Sequence, residues 1–355
     1  MLKKLFLGVI FVFALSFTVN CSAAIITPSA GDTHPYVYLS DDFIAGLKNE
    51  DGSIKKEYES QYNYFKKLAT GDLPAQPAGG YISSGISNKL MARALMYALA
   101  EFDYDHARAT IEYTLKYLEK PLTAQTYSIN MYKDLGTNGI QTGALVYDWC
   151  YDAFKEEEKE LLASYIVEIY EDTNGDGSPN YKQPASIKNP SSWGDLAGKA
   201  VGQPLIYNTI AVTALYDIKP ELYNSVMEKV QGDMAAASKI YGEAGALTDG
   251  SIAYTREHYT YWLEMLFQRM GHDISEKYGK QLPLGYKLLY SRLPYGRFIK
   301  QGDDFVARQY TYGNYSNVSD LVEDMGMLQV MFEDPYLKYY YIRDNYNSTN
   351  LFNMI

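Results

Sequence analysis

Lys155-Glu-Glu-Glu-Lys-Glu160-Leu161-Leu162-Ala-Ser-Tyr165-Ile166-Val-Glu-Ile169-Tyr170 brings apolar residues back at i, i+1, i+4 and i+5. That spacing draws one apolar stripe along a helix. Such a stripe must be buried against a neighbour, and residues 139–154 read as the helix that pairs with it. The pattern repeats outward. Ile86, Leu90, Ala94, Leu95 and Ala98 fall at helical spacing, as do Ile111, Leu115 and Leu118, and Pro121 stops that second run. Helical stretches are predicted at 55–68, 200–216, 220–241 (opening with Pro220 and Glu221), 255–271, 275–291, 317–332 and 335–345. No convincing alternation of strand type interrupts them. Helical hairpins that each bury one stripe close on one another as a solenoid or a ring. The expected fold is therefore all-α, a complete or incomplete (α/α) toroid of antiparallel hairpins over residues 55–355. Residues 25–54, with Pro28, Gly31, Pro35 and the turn Glu50-Asp51-Gly52-Ser53, read as an irregular N-terminal segment.

Residues 1–24 have the form of a secretory signal peptide: Lys3 and Lys4, an apolar run over 5–19, then Asn-Cys-Ser-Ala-Ala24. Cleavage after Ala24 is preferred. Cys21 would offer a lipid anchor, but Thr-Val-Asn before it matches a lipobox poorly. An exported protein, periplasmic or secreted, is expected. Its net charge of −11 becomes two units more negative once the leader is removed. Without a basic run, nucleic acid and anionic membranes are poor partners. No later apolar run reaches the roughly 18 residues of a bilayer span. Cys150 would be the one cysteine left, so no internal disulfide would form and packing must supply the stability.

Polar chemistry concentrates in a few stretches. In 245–271, the glycine-punctuated segment Gly245-Ala-Leu-Thr-Asp-Gly250-Ser-Ile-Ala-Tyr254-Thr-Arg256-Glu-His258-Tyr259 runs into an apolar helix. Side chains there would sit near unpaired N–H groups and a partial positive charge, which favour anions. With 36 tyrosines in the chain, simple packing of Tyr254 and Tyr259 is the rival reading. Ser191-Ser-Trp193-Gly194-Asp195, followed by Gln203, Tyr207 and Asn208, joins a sugar-sized aromatic platform to polar groups, or is an inter-helix loop with a packed tryptophan. Arg292, Arg297 and Lys300 gather positive charge in an otherwise acidic chain, a patch suited to an anionic sugar or a loop of solvated charges. Asp172, Asn174 and Asp176 begin a calcium-type loop with Gly177 at its turn. Gln183 stands where a bidentate carboxylate is usual, so a weak calcium site and an acidic turn both fit. Four histidines without metal-type spacing argue against a histidine-bound metal, and no cofactor is required. The 15% aromatic content suits stacking on sugar rings as well as a tyrosine-rich core.

Taken together, these stretches resemble the heparinase II/III family of polysaccharide lyases. Gly143-Ala-Leu-Val-Tyr147-Asp148-Trp149 is similar to the family's Ala-x-x-Tyr-Asp-Trp segment, and the Trp193-Gly194 loop, the Asp249-Gly250-Ser251 stretch and the run from Arg292 to Asp303 follow in the family's order. The resemblance covers roughly residues 80–350. It implies an (α/α) toroid followed by β-sandwich domains, and cleavage of a uronate-containing, glycosaminoglycan-like polysaccharide by β-elimination. Tyr254 matches the catalytic tyrosine, with Tyr259 as its rival and His258 as a further acid or base. Arg256, His258 and Gln203 or Asn208 are candidates for holding the substrate carboxylate, and Trp193, Arg292 and Arg297 for binding the chain. Two departures stand out. Asp195-Leu196 and Lys199 replace the histidine and glutamate that some members carry after Trp-Gly. The sequence also ends at Ile355, near where the family enters its β-sandwich, so a truncated member is expected, without the histidine that the later part usually supplies.

Two other readings remain at this point. A toroidal glycoside hydrolase would need two carboxylates across the scissile bond, drawn from Asp195, Glu243, Asp249 and Glu257. A non-catalytic glycan-binding toroid would need only the tyrosine-lined groove.

Overall fold

The computed structural model describes residues 25–28, 33–56, 58–75, 84–119, 139–171, 202–241 and 257–272, with isolated positions at 290, 334–336 and 339. Among these residues the fold is helical. They form α1 (Asp41–Gly46), α2 (Glu59–Thr70), α3 (Ser84–Ala98), α4 (Tyr104–Leu118) and α5 (Gln141–Trp149), then a 3-10 turn at Tyr151–Ala153. After it come α6 (Glu156–Glu171), α7 (Gly202–Ala214), α8 (Pro220–Tyr241) and α9 (Glu257–Arg269). The only extended pairing among the described residues is an isolated bridge between Lys48 and Ile54. The helices expected at 275–291, 317–332 and 335–345, and the leader at 1–24, lie outside the described residues except for the isolated positions.

Two boundaries differ from expectation. The segment 25–54 is not wholly irregular, because Ser40 caps α1 by accepting from Phe43 N at 3.1 Å and Asp41 and Asp42 occupy its first turn. Six residues are too few for periodicity to reveal. The helix expected from 55 starts four residues later, since Ile54 and Lys55 are engaged with Lys48 and Leu47.

The helices pack as hairpins in two rows. α3, α5, α7 and α9 lie side by side in that order, although other helices separate them in sequence. α4 and α6 pack together behind α3 and α5, α8 packs on α7, and α2 lies against α3. Every residue of α5 is buried. A helix enclosed on all sides needs close approach, and Gly143 supplies it: a Cβ there would lie 3.0 Å from Leu118 Cδ1 and 3.1 Å from Ile166 Cγ1. A single apolar core runs through the rows, from Leu90, Leu95 and Ile111 to Val146, Ile166, Ile210, Val226 and Leu266.

One ion pair staples the hairpins together. Arg108 on α4 donates from Nη1 and Nη2 to the two carboxylate oxygens of Glu158 on α6, at 2.6 and 2.7 Å, and from Nη1 to Ala153 O at 2.8 Å. The Arg108 hydrogen bond is the chief reason that the Glu158 carboxyl is held down to about 2. No helix among the described residues is long and apolar enough to cross a membrane.

Candidate functional site

The direction of the front row decides where its polar groups collect. Arg108, near the start of α4, bonds Ala153 just beyond the end of α5, so the start of α4 lies by the end of α5. The end of α3 meets the same place through the short turn into α4. Asp217, in the turn after α7, accepts from Tyr147 and Tyr151 at the end of α5, with Tyr151 Oη at 2.9 Å. His272, just beyond α9, donates to Thr27 O, while Tyr223, early in α8, donates to Ile26 O. The C-terminal ends of α3, α5, α7 and α9 therefore share one end of the row. Their N-terminal ends share the other, where the helix dipoles place partial positive charge and the leading N–H groups have no partner within the helix.

Several of the expected site residues belong to that N-terminal end. Gln203 is the second residue of α7, and His258 and Tyr259 are the second and third of α9, a helix that packs against α7. Asn208, two turns into α7, is buried at 3% exposure. Tyr254, Arg256, Trp193, Arg292, Arg297, Asp172, Asn174 and Asp176 lie outside the described residues. Arg256 and Tyr254 are one and three positions before α9 in sequence. No group of three histidine, cysteine or carboxylate side chains placed to hold a metal occurs among the described residues.

A second polar constellation, which the sequence reading did not single out, occupies the C-terminal end. The N-terminal segment crosses it, from Ile26 and Thr27 at α8 and α9 to Lys48, whose Nζ donates to Leu99 O beyond α3. Midway, His34 enters a pocket between α5 and the α7–α8 turn, its side chain 3% exposed. Its Nδ1 donates to Asp148 Oδ1 at 2.7 Å and its Nε2 stands 3.5 Å from Asp217 Oδ2. Asp148 also accepts from Tyr36 N at 2.8 Å and Val37 N at 2.9 Å, and Trp149 Nε1 donates to Val37 O at 3.0 Å. The Tyr151 ring stacks on the imidazole at 3.7 Å. Burial depresses the His34 pKa, but the bond to Asp148 and the nearby Asp217 carboxylate outweigh it and the net direction is upward. Burial alone would raise Asp217, yet the nearby His34 imidazole and the bond from Tyr151 hold it below its usual value.

Tyr147-Asp148-Trp149 thus works as an anchor for the N-terminal segment. The sequence offered a partial signal, since a buried acid beside a tryptophan requires partners. Nothing in the sequence pointed to His34 or Asp217, which lie 114 and 69 residues from Asp148.

Compared with known proteins, the chain matches no family model and no curated protein sequence.

Proposed function

We propose that this protein is an exported polysaccharide lyase that cleaves a uronate-containing acidic polysaccharide by β-elimination, on an (α/α) toroid whose front row is α3, α5, α7 and α9. The observation that carries the reading is the meeting of α7 and α9: Gln203 and Asn208 stand on one, His258 and Tyr259 on the other, with helix N-termini gathered at the same end. The order of the four sequence motifs supports it, as does the hairpin packing.

The chemistry sets three requirements. The C5 proton must be removed, the neighbouring carboxylate must be neutralised so that the carbanion is tolerable, and the oxygen leaving C4 must be protonated. The C4–O bond then breaks as the C4=C5 double bond forms. Tyr254 is the proposed base and then acid, with Tyr259 and His258 as alternatives. A phenol's pKa of about 10 falls beside cations and helix N-termini, so Arg256 and the first turn of α9 would favour the reactive phenolate. Gln203, Asn208 and Arg256 would hold the carboxylate, and Trp193, Arg292 and Arg297 the flanking sugars. Calcium at Asp172, Asn174 and Asp176 would be structural.

The test is ultraviolet absorbance of the unsaturated uronate on heparin, heparan sulfate, chondroitin, hyaluronan and alginate, with wild type and Tyr254→Phe side by side. Absorbance that rises with wild type and vanishes in the variant is expected. New reducing ends without absorbance would make the protein a hydrolase, and neither signal on any substrate would leave a glycan-binding protein.

A further inference from the structure

We propose that His34 is the pin of a pH-sensitive clasp, which locks the N-terminal segment onto the C-terminal ends of α5 and α7 in mildly acidic solution and releases it as the solution becomes alkaline. The inference does not depend on the lyase reading.

The geometry is that of a cation seat. A buried imidazole has a carboxylate at each nitrogen, 2.7 Å away on α5 and 3.5 Å away in the α7–α8 turn. Only the imidazolium carries hydrogens on both nitrogens. In the neutral ring, with Nδ1–H kept on Asp148, the bare Nε2 lone pair of the buried imidazole would face the Asp217 carboxylate, an unfavourable contact. Both helices also present their C-terminal ends here, where a cation is favoured.

The surrounding charges leave histidine as the group that changes. From the segment itself, Tyr36 packs on the imidazole at 4.2 Å between ring centres. From α5, Tyr147 and Asp148 face it, and from the 3-10 turn Tyr151 stacks on it. Behind Tyr151, Lys159 of α6 sits 3.7 Å from the ring centre, held by Glu156 at 2.8 Å. The α7–α8 turn contributes Tyr216 and Asp217, and Lys219 beyond them pairs with Glu160. Burial first, then Asp217, pushes the Tyr147 and Tyr151 phenols upward, so both remain hydroxyl donors to Asp217.

The sign follows from linkage. A histidine whose pKa is raised on docking stabilises the docked state fully below its free value of 6.5, and that contribution is lost as pH rises through the docked value. Asp217, lowered by docking, contributes above its free value of 3.8 and loses that contribution as pH falls through its docked value. The clasp is therefore tightest between those two free values and opens on the alkaline side.

The amides of Tyr36 and Val37 report the clasp directly, because both donate to Asp148. Their hydrogen exchange in the full chain, corrected for intrinsic rate, would be measured from pH 5 to 9 with the amides of α5 as reference. Protection at Tyr36 and Val37 should fall by about tenfold for each unit that separates the docked and free pKa values, while α5 stays protected. Asp217→Asn keeps the Asp148 bonds and removes one carboxylate, so it should move the midpoint to lower pH. His34→Gln should exchange at the wild type's high-pH rate throughout. Protection that does not change with pH, a midpoint unmoved by Asp217→Asn, or an equal loss in α5 would each overturn the proposal. If His34→Gln fails to fold, the wild-type profile and Asp217→Asn decide alone.

Discussion

At the C-terminal end of the front row, Asp148 accepts three hydrogen bonds, Asp217 accepts two tyrosine hydroxyls, and Lys48 caps the end of α3. At the opposite end lie the first turns of α5, α7 and α9, whose leading N–H groups have no partner within the helix. The first end is crowded with partnered side chains, and the second presents helix N-termini. Partnered polar groups rigidify a fold, whereas helix N-termini with spare donors suit an anion that arrives from outside. The same chain thus contains polar residues of two kinds, and substitutions should separate them.

The largest separation is expected between the proposed catalytic tyrosine and the Asp148 anchor. On the proposed lyase reading, Tyr254→Phe should reduce turnover by about 10²–10⁴-fold, the usual span for loss of a general acid–base group, and leave the melting temperature unchanged. Asp148→Ala should do the reverse. Removing a fully buried carboxylate strands the His34 imidazole and the Tyr36 and Val37 amides, at a cost of about 3–5 kcal/mol. The molecules still folded should turn over as wild type. Denaturant unfolding beside turnover measured on each variant decides the matter, and a Tyr254→Phe protein as unstable as Asp148→Ala would erase the contrast.

An intermediate effect is expected from the staple that holds the second row. Glu158 is 13% exposed and its carboxyl lies at about 2 rather than 4.5, with the Arg108 bond as the main cause. The stabilisation is present above 4.5 and lost as pH falls through about 2. Glu158→Gln should therefore lose about 2–3 kcal/mol near neutrality. The gap from wild type should narrow steadily below pH 4.5. A gap that is constant with pH would show packing, not charge, to be what Glu158 supplies.

Helix positions were legible because each hairpin writes its stripe locally. Pro220 opens α8 where the sequence places it, and of the stripe in α6 Leu162 and Ile166 are buried and Tyr165 half-buried, while Leu161 faces solvent. The row order was not legible, because α3, α5, α7 and α9 meet only through tertiary packing. The anchor at Asp148 shows the same limit. Tyr147-Asp148-Trp149 was visible as a motif, but its partners arrive from residues 34–37 and 217, and no local period encodes a contact across that distance. Of the expected site, the sequence supplied the helices that bear Gln203, Asn208, His258 and Tyr259. Packing supplied the fact that those helices are neighbours.

The smallest effect tests how tightly the enclosed α5 is packed, using one substitution in two surroundings. Gly143 and Gly232 both lie inside helices, where alanine is intrinsically better by about 1 kcal/mol. At Gly232, exposed on α8, a Cβ meets nothing within 4 Å, so Gly232→Ala should raise stability by up to about 1 kcal/mol. At Gly143 the new methyl would press on Leu118 and Ile166 at 3.0–3.3 Å. Overpacking of that kind costs about 1–3 kcal/mol, which exceeds the propensity gain, so Gly143→Ala should lower stability by about 1 kcal/mol. Thermal melts of the two variants should shift in opposite directions. Two upward shifts would mean that the side chains of Leu118 and Ile166 yield easily, and that α5 owes its burial to loose rather than close packing.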